Sequence, residues 1–206
     1  MTRKIYIEST AYLSNDGLRI WNEESFMITP FHTSIKVDLY NELSEDEFTG
    51  EVEQEDEKEV GHIYSHTFNL DYSKSNLAFL AEEQSSDLGY AASFFFHEEG
   101  KDYLSFRYLF YINEVFIKPE YRGHEYGIQA LAMFLQNFAW GETVCCHPCP
   151  IHDLKDKYSE EKGKLLMRKY WSKAGLKNYA EKQNILWIDE WSMSDWSRHK
   201  IFPDNN

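Results

Sequence analysis

The chain has 206 residues, 42% hydrophobic and 17% aromatic, enough apolar surface for one domain with a full core. Its formal net charge of −14 repels nucleic acid and anionic membrane, and only small basic clusters at residues 155–157 and 162–173 interrupt it. No run has the length of a transmembrane helix and no apolar leader follows the first residues, so with three cysteines, an odd number, a reducing, cytoplasmic setting is expected.

Residues 1–30 carry little pattern, apart from an edge strand expected at 4–8. Residues 31–40 alternate, with Ile35, Val37 and Leu39 on one face, and predict a strand; residues 60–70 predict a second. Between them, residues 41–59 hold ten acidic side chains and one lysine. Such a run is a solvated hairpin loop, or an electrostatic lure for a basic partner. Residues 73–96 predict mainly helix, with Ser75 as N-cap and Gly100 beyond its end. A long strand is expected over 103–117, then a helix over 127–140 that is apolar almost all round and therefore buried. Residues 159–174 are amphipathic, with Leu166, Met167, Tyr170, Trp171 and Ala174 on one stripe and Gly175 as the stop. Strand and helix alternate after residue 30, which predicts a mixed α/β sheet, and no repeat or interdomain linker divides residues 1–206.

The stretch 112–135 carries the most chemistry. A β-type run ending at Ile117 meets Pro119, then a turn from Arg122-Gly123 to Gly127 that opens directly into the apolar helix. Unpaired N–H groups and the positive end of the helix dipole make such a turn an anion site. Arg122 adds a permanent charge with a fork suited to phosphate, and glycines let a phosphate approach the backbone. The plain alternative is a turn-helix junction with a capping role.

This stretch resembles the acyl-CoA signature of the GNAT N-acetyltransferase superfamily, [QR]-x-x-G-x-[GA] at a helix start. Arg122, Gly123, His124, Glu125, Tyr126 and Gly127 occupy the six positions, and Glu125 stands where the first glycine is usual. Residues 143–151 (TVCCHPCPI) look like the family's fifth strand, 164–176 like its last conserved helix and 184–191 like its closing strand. The match covers residues 108–191, and residues 1–107 agree only in layout.

The resemblance implies a GNAT fold: a mostly antiparallel twisted sheet, splayed between strands 4 and 5 and flanked by helices. It implies acetyl-CoA as acyl donor, no metal, and direct transfer to an amine in a ternary complex. The amine is a small molecule or a peptide lysine or N-terminus, and a homodimer is compatible with it. Val115, Phe116 and Ile117 would bond the pantetheine arm like an added strand. The backbone from Gly123 through His124, Glu125, Tyr126 and Gly127 to Ile128 would hold the pyrophosphate, with the Glu125 carboxylate turned away.

Amine acetylation needs a base for the ammonium, polarisation of the thioester and an acid for the leaving thiolate. For the base, Glu114 and His147 are candidates, Glu114 on the strand face opposite Val115 and Ile117, His147 at the end of the fifth strand; a strand-end histidine is equally a structural residue. Family members that use an acid place a tyrosine where this chain has Trp171, and an indole cannot serve. Tyr170, one residue earlier, is the remaining candidate, although a tyrosine there is more often core. Cys145, Cys146, His147, Cys149 and His152 suggest a metal cluster, but no second pair follows at zinc spacing and alternate strand residues face apart. With Glu125 in the loop and Trp171 at the acid position, the competing expectation is a GNAT-type scaffold without catalysis that binds a protein through its acidic surface.

Overall fold

A computed structural model describes residues 5–11, 24–38, 57–97 and 107–202. Its frame is a seven-stranded sheet in the order β1-β2-β3-β4-β5-β7-β6. These strands are β1 (Ile5–Ala11), β2 (Ile28–Asp38), β3 (Glu57–Asn69), β4 (Tyr108–Ile117), β5 (Thr143–Cys146), β6 (Asn178–Ala180) and β7 (Ile185–Ile188). Every neighbouring pair is antiparallel except β4 and β5, which run parallel. The helices are α1 (Glu24–Met27), α2 (Lys74–Gln84), α3 (Ser86–His97), α4 (Tyr126–Phe138), α5 (Glu160–Ser172) and α6 (Asp195–Ile201). The expected class is the observed one: mixed α/β, mostly antiparallel, parted between the fourth and fifth strands and flanked by helices.

Alternation along the strands sorts side chains between two cores, one on each face of the sheet. Ile35, Val37, Ile63, Phe110 and Ile112 pack beneath α4, with Ile128, Leu131, Phe134 and Leu135 of that helix and Trp171, Trp191 and Met193 from the C-terminal elements. Ile28, Phe68, Leu109 and Tyr111 face the other way, onto Leu77, Ala81, Leu88, Ala91 and Phe95 of α2 and α3. The helix expected over 127–140 runs from Tyr126 to Phe138 and is buried along most of its length, but Phe138 at its end and Trp140 beyond it are exposed.

Beyond Ile112, paired with Cys146, the parallel ladder stops. β5 ends there, while β4 continues to Ile117 with β3 on its other side, so among the described residues one edge of its last residues has no strand beside it. This gap is the structural root of the site.

Several sequence expectations need correction. The helix expected over 73–96 is two helices, because Ser85 is extended (φ −164°). Its hydroxyl accepts from the N–H of Leu88 and so caps the second helix. The N-cap of α2 is Ser73, not Ser75: its hydroxyl accepts from the Asn76 N–H. The fourth strand begins at Tyr108, and residues 103–106 lie outside the described residues. Of the acidic run 41–59, only 57–59 are described, and they belong to β3. The short edge strand β6 and helix α6 had no sequence signal in this reading. α5 ends at Ser172, and the turn that follows it closes at Gly175, at φ 104°, a conformation that disfavours a side chain. Among the described residues, no helix is long and apolar enough to cross a membrane.

Candidate functional site

Where β4 loses its strand partner, a cavity of about 400 Å³ opens. Val115, Phe116 and Ile117 form one wall, and the turn with Arg122, Gly123, Glu125, Tyr126 and Gly127 forms its end. Leu166, Met167, Tyr170 and Lys173 of the α5 region close the opposite side, and Ile151, Leu154 and Tyr158 come from the segment after β5. Most of the residues assigned to the acyl donor from sequence thus converge on one space. His124 is not among the lining residues; its ring stacks with that of Tyr126 at 5.2 Å between centroids. Ile128 is fully buried in the core beneath the turn, and its N–H is taken by the Tyr170 hydroxyl.

The turn has the geometry of an anion cradle. Pro119–Tyr121 makes a single tight turn whose carbonyl at Pro119 accepts from the Arg122 N–H. After that, none of the backbone N–H groups from Gly123 to Gly127 has a backbone acceptor among the described residues. Gly123 and Glu125 both have positive φ, 88° and 62°. Glu125 therefore holds the left-handed conformation that a glycine adopts more easily, which explains why a glycine suits this position. Its carboxylate turns to Lys173 Nζ at 2.6 Å and Lys200 Nζ at 3.2 Å. The bond from Lys173 is the main cause holding the Glu125 carboxyl below its ordinary range; burial opposes it, and the bond from Lys200 adds to the lowering. The carboxylate that interrupts the signature is thus neutralised by two lysines.

Arg122 is fixed twice. Its Nε donates to the Ile117 carbonyl at 2.9 Å, and its two terminal nitrogens donate to both oxygens of Asp153 at 2.8 Å each. Lys157 also donates to Asp153, at 3.0 Å. Arg122 first, then Lys157, keep the Asp153 carboxyl far below the usual carboxylate range. The arginine expected to meet phosphate is therefore engaged by an aspartate of the segment after β5.

The three catalytic candidates are placed very differently. Glu114 lies on the sheet face away from Val115 and Ile117, as strand alternation requires, and its Oε1 accepts from His152 Nε2 at 2.7 Å and His62 Nε2 at 3.2 Å. Rings crowd around it: His62 stacks on Phe116 (5.2 Å) and tilts against Tyr64 (4.5 Å), His32 stacks on Tyr64 (4.7 Å), and His152 meets Phe116 edge-on (5.0 Å). Phe116 also lines the cavity, so it joins the two sides of the gap.

Tyr170 is not simply core, because it faces the cavity. Its hydroxyl end lies deep, at the start of α4. Burial, then the Glu125 carboxylate, raise its proton affinity well above an ordinary phenol, and a hydrogen bond from the Ile128 N–H works the other way. Trp171 turns into the core instead, with its indole nitrogen unpaired.

His147 does not join either group. Its Nδ1 sits 3.0 Å from the Asn184 carbonyl, between the rings of Tyr90 (5.4 Å) and Tyr111 (5.9 Å), and burial lowers its pKa. It is a paired strand-end histidine and lines no part of the cavity. The Cys-His segment is dispersed as well. Cys145 and Cys146 are buried, with thiol pKa values raised by burial, and Cys149 Sγ accepts from Asn184 Nδ2. Among the described residues no group of three or more such side chains could hold a metal.

Sequence reasoning missed His62, Tyr64, Asp153, Lys173 and Lys200. For the first two a signal existed, since His62, Tyr64 and His66 recur at every second position of one strand face. For Asp153 and the lysines none did, because their partners lie far along the chain. No family model, no curated protein and no solved structure matches the chain.

Proposed function

We propose that this chain is an acetyl-CoA-dependent N-acetyltransferase of the GNAT type. The observation that carries the reading is the convergence of the free β4 edge, the N–H-lined turn with Arg122 and the α5 wall on one cavity of about 400 Å³. Apolar walls at Val115, Ile117, Leu166 and Met167 suit a pantetheine arm, and the turn at one end suits its pyrophosphate.

In this reading the amine arrives from the other sheet face, where Glu114 is ringed by His62, Tyr64, Phe116 and His152. Its ammonium gives one proton to the Glu114 side of the site. The free nitrogen adds to the thioester carbon, a C–N bond forms and the C–S bond breaks. Tyr170, protonated at neutral pH as any phenol is, gives its proton to the departing sulfur; the surplus proton of the new amide nitrogen restores the phenol. The charge of −14 favours a cationic acceptor, a small amine or a lysine-rich peptide, over nucleic acid. Three free cysteines, two of them buried, suit a reducing cytoplasm.

The test is a thermal shift with acetyl-CoA. A ligand at a hundred times its Kd adds about 2.7 kcal/mol to the folded state, a clear rise in Tm. Arg122→Ala should weaken that rise. No shift at millimolar acetyl-CoA would overturn the enzyme reading and favour a protein-binding module without donor affinity.

A further inference from the structure

Two adjacent residues bridge the two halves of the site. Asp153 engages Arg122 with two hydrogen bonds of 2.8 Å. His152, immediately before it, donates to Glu114 at 2.7 Å. His152 holds φ 48°, a left-handed conformation that costs a non-glycine residue energy and persists only where contacts impose it. Both side chains are about half exposed, at 51% and 42%, so the turn they form can move without opening a core. Ile151 and Leu154, on either side, line the cavity.

A guanidinium fork that grips a carboxylate with both terminal nitrogens cannot offer the same pair to a phosphate. An incoming pyrophosphate also repels Asp153 directly. The contact of His152 with Glu114 has the corresponding effect on the other face, since it is the shorter of two histidine contacts on Oε1, the other being His62 at 3.2 Å.

We propose that the His152-Asp153 turn couples donor binding to release of the base: an anionic pyrophosphate at Arg122 displaces Asp153, and the same movement lifts His152 from Glu114. The inference rests on the donor reading above and deepens it. With the donor bound, Glu114 Oε1 then keeps only the longer contact with His62. Asp153 and His152 are positioning residues that touch neither reacting atom.

The experiment follows the His152 imidazole nitrogen by NMR in protein labelled with ¹⁵N-histidine, its signal identified by loss in His152→Gln. Coenzyme A added to the wild type should move that signal. In Asp153→Ala the signal should stand at the moved position without ligand, and coenzyme A should bind about tenfold tighter, a bidentate charged competitor having been removed. Binding of coenzyme A that leaves the His152 signal in place, or no tighter binding in the variant, overturns the coupling. Should coenzyme A bind neither protein, the donor reading fails. The coupling to donor binding falls with it, whereas failure of the coupling alone leaves coenzyme A binding intact.

Discussion

The hydroxyl of Tyr170 lies 2.7 Å from the point that a Cβ on Gly127 would occupy. Val115 Cγ1 and Ile117 Cγ1 crowd the same point at 3.1 and 3.2 Å. The glycine is therefore needed for close approach, at the place where helix, strand and α5 meet around the cavity. Gly127→Ala should push the tyrosine and the β4 wall outward, costing about 1–3 kcal/mol of stability. Acetyl-CoA affinity should fall with it. Denaturant unfolding and calorimetric titration check both; an unchanged stability would show that Tyr170 swings aside freely.

Glu125 separates two contributions. In Glu125→Gly the left-handed backbone relaxes while the partly exposed pairs with Lys173 and Lys200 are lost, two effects each of about 1 kcal/mol or less that oppose each other. Stability should stay nearly constant, and coenzyme A affinity should be equal or better without a carboxylate beside the turn. Glu125→Ala keeps the strained conformation and loses the pairs, so it should unfold at lower denaturant than either. Equal stability of the Gly and Ala variants would mean that the backbone conformation carries no cost here.

Tyr170→Phe removes one oxygen and almost no volume. The hydroxyl accepts from the Ile128 N–H, so its loss should cost about 1 kcal/mol of stability. If that hydroxyl protonates the leaving sulfur, turnover should drop by about a hundredfold, with acetyl-CoA binding nearly unchanged. Steady-state kinetics and titration separate the two. Turnover close to wild type would assign the tyrosine to packing and capping, and the proton to water.

Acid should weaken the fold through two histidines. His147 and His66 both have pKa values lowered chiefly by burial. A lowered folded value means that the unfolded chain binds protons first. Their stabilising contribution is thus complete above the unfolded value of about 6.5 and is lost as pH falls below it through the folded values. Tm measured between pH 7.5 and 5 should decline, and the decline should be shallower in His147→Gln, where the amide can still donate to the Asn184 carbonyl. An identical slope in that variant would remove His147 from the explanation.

Much of this architecture was legible along the chain because it is local. Alternation at Ile35 and Val37 marks β2, the apolar stretch from Ile128 to Leu135 marks a buried helix, and Pro119 followed by Arg122-Gly123 marks the turn between strand and helix. Each signal depends on residues within about two helical turns of one another, the range over which periodicity reports on structure. The turn as an anion cradle is likewise written in the sequence, since the orphan N–H groups of a helix start need no tertiary contact to exist.

What periodicity could not supply was decided when the chain closed on itself. Arg122 finds Asp153 across 31 residues, Glu114 finds His152 across 38 and Glu125 finds Lys173 across 48. No local pattern encodes such pairs, because a charged residue looks alike whether it faces water or a distant partner. The choice between Tyr170 and Trp171 is of the same kind. Both are aromatic and stand about 100° apart on one helix. Only the packing of α5 against β4 and α4 turns the tyrosine to the cavity and the tryptophan to the core. The sequence determined the long strands, the buried helix and the turn that opens it; tertiary structure alone decided which side chains share the gap that β5 leaves beside β4, because ending one strand before its neighbour is a relation between elements rather than a property of either.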